Sequence, residues 1–163
     1  MILNDRTKRR VVLQLEELRQ AFRTDIKTLK NKRIPDVVIN MVRAQYEETI
    51  KKMSSEIRRY EELRKKGISA LGKITDLRDI GLSLVEARIA RGITQAKLAK
   101  MLGVDQTQVS RDERYLYRGV TANRVFHILD VLGIDARMTV SPLKKGSTKS
   151  GKIKRRTHGK KEV

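Results

Sequence analysis

The sequence predicts an all-α protein. A long, coiled-coil-like helical hairpin comes first, followed by a compact domain of about four to five helices and a disordered basic tail. Three observations predict this order. Apolar residues recur every three or four positions over two long stretches near the N-terminus. Short amphipathic stretches bounded by capping residues and glycines follow. The end of the chain is rich in Gly, Ser and Lys and cannot offset the entropic cost of ordering. We therefore divide the chain into an arm (1–67), a connector (68–80), a domain (81–140) and a tail (141–163).

The arm is predicted to form two antiparallel helices. The first spans 5–30. The second has Pro35 in its first turn and runs to about Lys66, where Gly67 stops it. The apolar stripe of the second helix is narrow and close to the 3.5-residue repeat of coiled coils. Because one hairpin with a narrow stripe buries little surface, we expect the arm to form a homodimer or to dock a protein partner. The alternative is that the hairpin folds back on the domain.

Residues 92–114 predict two short helices that cross sharply. Thr94 caps the first helix, and Gly103 ends it where a left-handed residue is needed. Asp105 starts the second helix, with Gln108 three residues on, close to a capping box. Two helices of about two turns separated by about three residues have little freedom except a helix-turn-helix crossing.

The outer face of the second short helix is polar and points to DNA. Gln can bond adenine through two atoms, Arg can bond guanine through two atoms, and Thr can touch base edges or a thymine methyl. An ordinary solvated helix would more often carry Glu and Lys here, and two surface helices of a globular domain are the alternative. The predicted base contacts are Gln106, Thr107, Ser110 and Arg111.

The helices on either side of this pair are predicted from their ends. Ser83 caps the preceding helix, and Thr75 could cap a brief helical turn before it. Thr121 caps the last helix, and Gly133 ends it. The predicted buried face of the last helix consists of Val125, Phe126, Ile128, Leu129 and Leu132. A short strand is predicted at 137–140.

The segment TQAKLAKMLGVDQTQVSR resembles the Cro/phage-repressor (XRE) helix-turn-helix family, and the likeness extends over 82–134. The resemblance implies that Gln95 contacts a phosphate or is oriented near one. It also implies that Gln106, Thr107 and Arg111 face bases.

One residue departs from the family pattern. Asp112 stands where the family normally has an apolar residue that packs into the core. Either Tyr115 or Leu116 fills that space, or the helix ends early. The departure puts the pose of Arg111 in question.

Charge favours a polyanionic partner, because 38 Lys and Arg residues against 19 acidic residues give a formal net charge of +19. The excess lies in the arm and the tail, while the domain is nearly balanced. Basic side chains and hydroxyls commonly contact phosphates. The predicted DNA-backbone contacts are Thr94, Gln95, Gln108, Tyr117, Arg118, Lys144, Lys145, Lys154, Arg155 and Arg156. Tyr117 and Arg118 could equally be ordinary surface residues, and the tail could be merely solubilising.

Other classes of function find no support in the sequence. The absence of cysteine excludes a disulfide framework and a thiolate metal site. We find no phosphate loop, catalytic triad, paired carboxylates or metal-ligand spacing, so we expect no enzyme activity, cofactor or metal. His127 is more simply structural than a ligand. No apolar run approaches the ~18 residues of a membrane span, and the N-terminus lacks a signal-peptide core, so we expect a cytoplasmic, nucleoid-associated protein.

The leading interpretation is a sequence-specific transcriptional regulator, most simply a repressor, that binds double-stranded DNA as a dimer. An antitoxin-like protein, whose arm neutralises a partner and whose DNA binding is autoregulatory, is the alternative. A nonspecific nucleic-acid coating protein that works through its basic flanks is the third interpretation.

Overall fold

A computed structural model describes residues 1–72 and 76–136. Helices are the only regular secondary structure in these two ranges, which confirms the all-α prediction. Short 3₁₀ turns occur at Gly67–Ala70 and Leu77–Asp79. The α-helices are α1 (Asp5–Asn31), α2 (Asp36–Lys66), α3 (Ile80–Ala90), α4 (Gln95–Leu102), α5 (Gln106–Arg114) and α6 (Ala122–Leu132). The predicted strand at 137–140 and the tail at 141–163 lie outside the described residues. So does Thr75.

Helices α1 and α2 form the predicted antiparallel hairpin, and their apolar stripes face each other. At the open end of the hairpin, which we call the root, the Tyr60 hydroxyl donates to Asp5 over 2.9 Å. Further along, the rings of Phe22 and Tyr46 lie 5.2 Å apart. Burial, followed by the bond to Asp5, raises the pKa of Tyr60 to about 12. The apolar stripe of α2, from which we expected self-association, is therefore largely covered by α1.

The root of the arm packs on the domain. Ile2 and Leu63 are almost completely buried in the same apolar cluster as Leu84 and Leu98 of the domain. Arg59 of α2 also donates to Glu86 of α3 from Nη2 and Nε, over 2.5 and 2.7 Å. The distal halves of α1 and α2, in contrast, pack on each other.

The start of α3 differs from the prediction. The helix begins at Ile80 rather than after Ser83, and the Ser83 hydroxyl donates to the Asp79 carbonyl from inside the helix. The reason is the 3₁₀ turn Leu77–Asp79, which continues directly into α3. Its own cap is Asp76, whose side chain accepts from the Arg78 N–H over 2.9 Å.

Helix α6 has the predicted caps, since Thr121 accepts from the Arg124 N–H and Gly133 adopts a left-handed conformation. One of its predicted core residues is wrong, because Phe126 is 58 % exposed. The buried face follows the i, i+3, i+4, i+7 spacing of an amphipathic helix, and Phe126 lies on the flank of that stripe. The residues on the face are Val125, Ile128, Leu129 and Leu132.

The turn after α5 approaches α3 very closely. Leu116 and Tyr117 both have positive φ, 51° and 53°, which is costly for residues with a side chain. This conformation brings the Leu116 carbonyl against Gly81 in the first turn of α3. A Cβ atom at Gly81 would lie 1.8 Å from the Leu116 oxygen, so the contact requires glycine. The turn and α3 therefore constrain each other.

No helix in the described part of the chain is both long enough and apolar enough to cross a membrane.

Gly81→Ala is expected to destabilise the protein by about 1–3 kcal/mol, because backbone atoms must shift to admit the methyl group. Gly72→Ala is the matched control, since nothing lies within 4 Å of a Cβ there. Urea unfolding of the full chain measures both changes. Equal effects of the two substitutions would contradict the close approach.

Candidate nucleic-acid interface

Helices α4 and α5 pack against each other, with residues 103–105 between them. The Thr94 hydroxyl accepts from the Lys97 N–H over 3.1 Å and starts α4. Gly103 ends α4 with φ 65°, in the left-handed region. Leu98, Ala99 and Val109 are buried where the two helices meet. Ala99 is small, so it lets α5 approach α4 closely.

The exposed face of α5 carries the predicted base-reading residues. Gln106, Thr107 and Arg111 are exposed, and Ser110 is half-buried. The spacing of i, i+1, i+4 and i+5 brings these side chains to one side of the helix. The predicted capping box does not form, because the Asp105 side chain makes no capping bond and the Gln108 amide donates to Asp112 instead.

A buried network of charged side chains holds the inner face of α5. Arg88 of α3 is 2 % exposed and Glu113 of α5 is fully buried. The guanidinium donates from Nε to Glu113 Oε1 and from Nη2 to Oε2, the latter over 2.7 Å. It also donates to the Ile93 and Leu3 carbonyl oxygens, each over 2.8 Å. One side chain thus connects α3, the loop before α4, α5 and the root of the arm.

Gln95 belongs to this network, which alters its predicted role. Its side chain is 7 % exposed, and Nε2 donates to Glu113 Oε2 over 2.8 Å. The amide group therefore lies inside the domain, where it bonds the buried carboxylate of α5. The prediction of a direct phosphate contact by its amide does not fit this position. Thr94, next to it, is exposed.

Tyr117 was predicted as a backbone contact, and the structure corrects this. It is 5 % exposed, and its hydroxyl is buried without a hydrogen-bond partner among the described residues. Burial, with the Glu113 carboxylate nearby, raises the pKa of the hydroxyl, so it stays neutral. The left-handed turn rotates this side chain into the core, and no local sequence signal announces that turn. Arg118, the next residue, is exposed.

The Asp112 side chain is buried in the domain, where it pairs with an arginine. It is 7 % exposed, and its carboxylate accepts from Arg124 of α6 over 2.8 Å. Helix α5 does not end early, since it continues to Arg114. Tyr115 does not fill the space either, because it is 61 % exposed, whereas Leu116 packs at the edge of the core.

The ion pairs Arg88–Glu113 and Arg124–Asp112 determine the surface charge of α5. The acidic residues of α5, Asp112 and Glu113, are both buried against arginines. Arg111 and Arg114 of the same helix are exposed. The helix consequently presents amides, hydroxyls and cations to its surroundings, which suits the acceptor-rich surface of DNA. The predicted tail contacts, Lys144, Lys145, Lys154, Arg155 and Arg156, lie outside the described residues.

Arg88, Glu113 and Arg124 were not among the residues predicted to build the site. A signal for the first two existed. Arg88 stands on the otherwise apolar face of α3 with Leu84 and Val85, and Glu113 follows Val109 by four residues on the buried side of α5. Opposite charges on two buried stripes favour a pair. No comparable signal pointed to Arg124, because its partner, Asp112, stands where the family has an apolar residue and gave no reason to expect an ion pair.

Residues 84–137, about a third of the chain, match a protein-family model described as helix-turn-helix. The domain belongs to the Cro/phage-repressor type of this family. No curated protein and no solved structure matches the chain. The helix-turn-helix match supports a DNA-binding regulator of this type, and α4 and α5 both lie inside the matched residues.

Removing one partner of the buried pair in the helix-turn-helix domain is expected to cost about 3–5 kcal/mol, because the other charge stays buried alone. Arg88→Met and Glu113→Leu should each show this loss in urea unfolding. The double variant should lose less than the sum of the two.

Arg78→Ala provides the control, because the Arg78–Asp76 ion pair is exposed, with the Arg78 side chain at 89 %. The unfolding midpoint of this variant should not change. Single variants of Arg88 or Glu113 as stable as the wild type would contradict the role given to the pair.

Proposed function

We propose that this protein is a sequence-specific transcriptional repressor that reads the major groove with α5. The observation that carries the proposal is the construction of α5. Its carboxylates are neutralised inside the domain, and its open face carries Gln106, Thr107 and Arg111. A helix of about 10–12 Å diameter fits the major groove, whose base edges present the donors and acceptors that these side chains match.

The proposal assigns different work to different residues. Gln106, Thr107, Ser110 and Arg111 contact bases. Thr94 and Arg118, both exposed, contact the sugar-phosphate backbone on either side of α5. The basic tail, through Lys144, Lys145, Lys154, Arg155 and Arg156, adds affinity that does not depend on sequence. Such a protein acts in the cytoplasm, at the nucleoid.

We propose further that the repressor works as a homodimer through its arm. Two copies of α5 would then read half-sites about one helical turn apart, as other helix-turn-helix dimers do. Two apolar side chains left exposed one turn apart on α2 support this use: Val37 at 71 % and Met41 at 69 %. Exposed apolar groups that lie together favour an interface.

Gln106→Ala and Arg111→Ala are each expected to cost about 1–3 kcal/mol of binding free energy on the duplex that the wild type selects from a random pool. Affinity for the unselected pool should change less, because the phosphate contacts remain. Gln45→Ala is the matched control, since Gln45 is an exposed glutamine on α2. Equal losses on both DNAs would contradict base reading, and no loss on either would favour the nonspecific coating protein.

The second candidate is an antitoxin-like protein whose arm binds a protein partner, with DNA binding as autoregulation. The exposed apolar side chains of the arm favour this candidate as well, because Val37 and Met41 lie at the tip of the arm, away from α5. A small co-transcribed gene, toxic when expressed alone, would support this candidate.

Sedimentation of the full chain separates the two uses of the arm. The homodimer proposal expects a dimer at micromolar concentration, and Val37→Lys with Met41→Lys should shift it to monomer by introducing charge into the contact. Leu77→Lys is the control, since Leu77 is also 61 % exposed but lies outside the arm. A wild-type monomer would contradict dimerisation and leave the arm free for a partner.

A further inference from the structure

A three-residue cluster lies along one edge of the recognition helix. Gln108 Nε2 of α5 donates to Asp112 Oδ1 over 2.7 Å. Arg124 of α6 donates to Asp112 Oδ2 from Nη2 over 2.8 Å and from Nε over 3.2 Å. The Asp112 side chain is 7 % exposed, that of Arg124 is 28 % exposed, and Gln108 is half-buried. The cluster therefore lies at the boundary between the core and the surface of α5.

The position of Arg124 is explained by Asp112. The arginine lies in the first turn of α6, where the helix dipole disfavours a cation. Arg124 contributes only its backbone N–H to the Thr121 cap. Its guanidinium instead compensates the carboxylate, which is costly to bury alone. Because Arg124 occupies Oδ2, Oδ1 remains to hold Gln108.

The cluster determines which groups Gln108 can offer. A carboxylate only accepts hydrogen bonds, so the amide nitrogen of Gln108 must face Asp112 and one of its two N–H groups is used there. The carbonyl oxygen and the second N–H remain. These two groups are the pair through which a glutamine bonds adenine N6 and N7 in the major groove. Holding the amide in place also reduces the entropy that binding would otherwise lose.

We propose that Gln108 is a specificity-determining residue that reads an adenine at the margin of each half-site, with Asp112 and Arg124 as its positioning residues. This inference rests on the proposed function, since it requires α5 to lie in the major groove. It replaces the sequence-based prediction that Gln108 contacts the backbone. Phosphates offer only acceptors, so a backbone contact would leave the oriented carbonyl oxygen without a use.

The test compares full-length proteins in selections from a random duplex pool, followed by sequencing. The wild type should prefer A·T at one position per half-site that Gln108→Ala no longer distinguishes. The preference lost there should be about 5-fold to 150-fold, the range that corresponds to one bidentate base contact. Preferences at the other positions should persist. Asn123→Ala is the control, because Asn123 is an exposed neighbour of Arg124 outside the cluster.

Asp112→Leu separates positioning from general stability. Leucine restores the apolar type usual at this place in the family and removes the acceptor for Gln108. The preference should fall at the same base pair as in Gln108→Ala, and the double variant should lose no more than Gln108→Ala alone. Asp112→Asn, which keeps the volume, provides a second variant if Asp112→Leu unfolds. Because Arg124 can only donate, it takes the asparagine oxygen, and the asparagine NH2 group then faces Gln108 and turns the Gln108 amide over, so the same preference should fall. A merely structural role of Asp112 would lower binding to all sequences alike.

The outcomes distinguish this inference from the proposed function. A wild-type motif that Gln108→Ala leaves unchanged overturns the assignment of Gln108 and leaves the repressor proposal standing. If Gln108→Ala lowers affinity for all sequences without changing the motif, the assignment of Gln108 is also overturned and the repressor proposal still stands, since a uniform loss indicates a phosphate contact. A flat wild-type selection overturns both.

Discussion

The structure depends most on the ion pair between Arg88 and Glu113. Charges are rarely fully buried unless they are paired, and here the arginine uses its remaining donors on the Ile93 and Leu3 carbonyls. Such a pair contributes less to stability than its Coulomb attraction suggests, because both ions lose their hydration. Its larger effect is on orientation. Two donors on two carboxylate oxygens, with Gln95 as a third, set the rotation of α5 about its axis and hence the side chains that face outward.

The same pair connects the arm to α5. Arg88 bonds the Leu3 carbonyl, Ile2 is buried in the domain core, and Arg59 anchors the end of α2 to Glu86. The root of the arm is therefore fixed to the domain by hydrogen bonds, an ion pair and apolar packing. The antiparallel hairpin spans roughly 40 Å at ~1.5 Å per residue, so its tip lies far from the face of α5. The surface proposed for DNA and the surface proposed for a protein contact would therefore be separate.

Local sequence signals predicted the helices well and their environments less well. Caps at Thr94 and Thr121, and glycines at 67, 103 and 133, mark helix ends because the rules behind them act within a few residues. The polar face of α5 was predictable for the same reason. Three features of the structure were not predictable from local sequence signals. The left-handed pair Leu116–Tyr117 depends on the space above Gly81, Asp112 depends on an arginine twelve residues away, and the burial of Gln95 depends on Glu113. Each is a tertiary contact that periodicity and capping rules do not contain.

The most direct test of the central claim, that α5 reads base edges in the major groove, is the binding of the full chain to its selected duplex with 7-deazapurines placed one at a time. This substitution removes the N7 acceptor in the major groove and leaves pairing and phosphate charge intact. The account predicts losses of about 1–3 kcal/mol at a few purines, in two clusters about one helical turn apart. Unchanged affinity at every position would contradict it, because a protein held by phosphates alone has no use for N7.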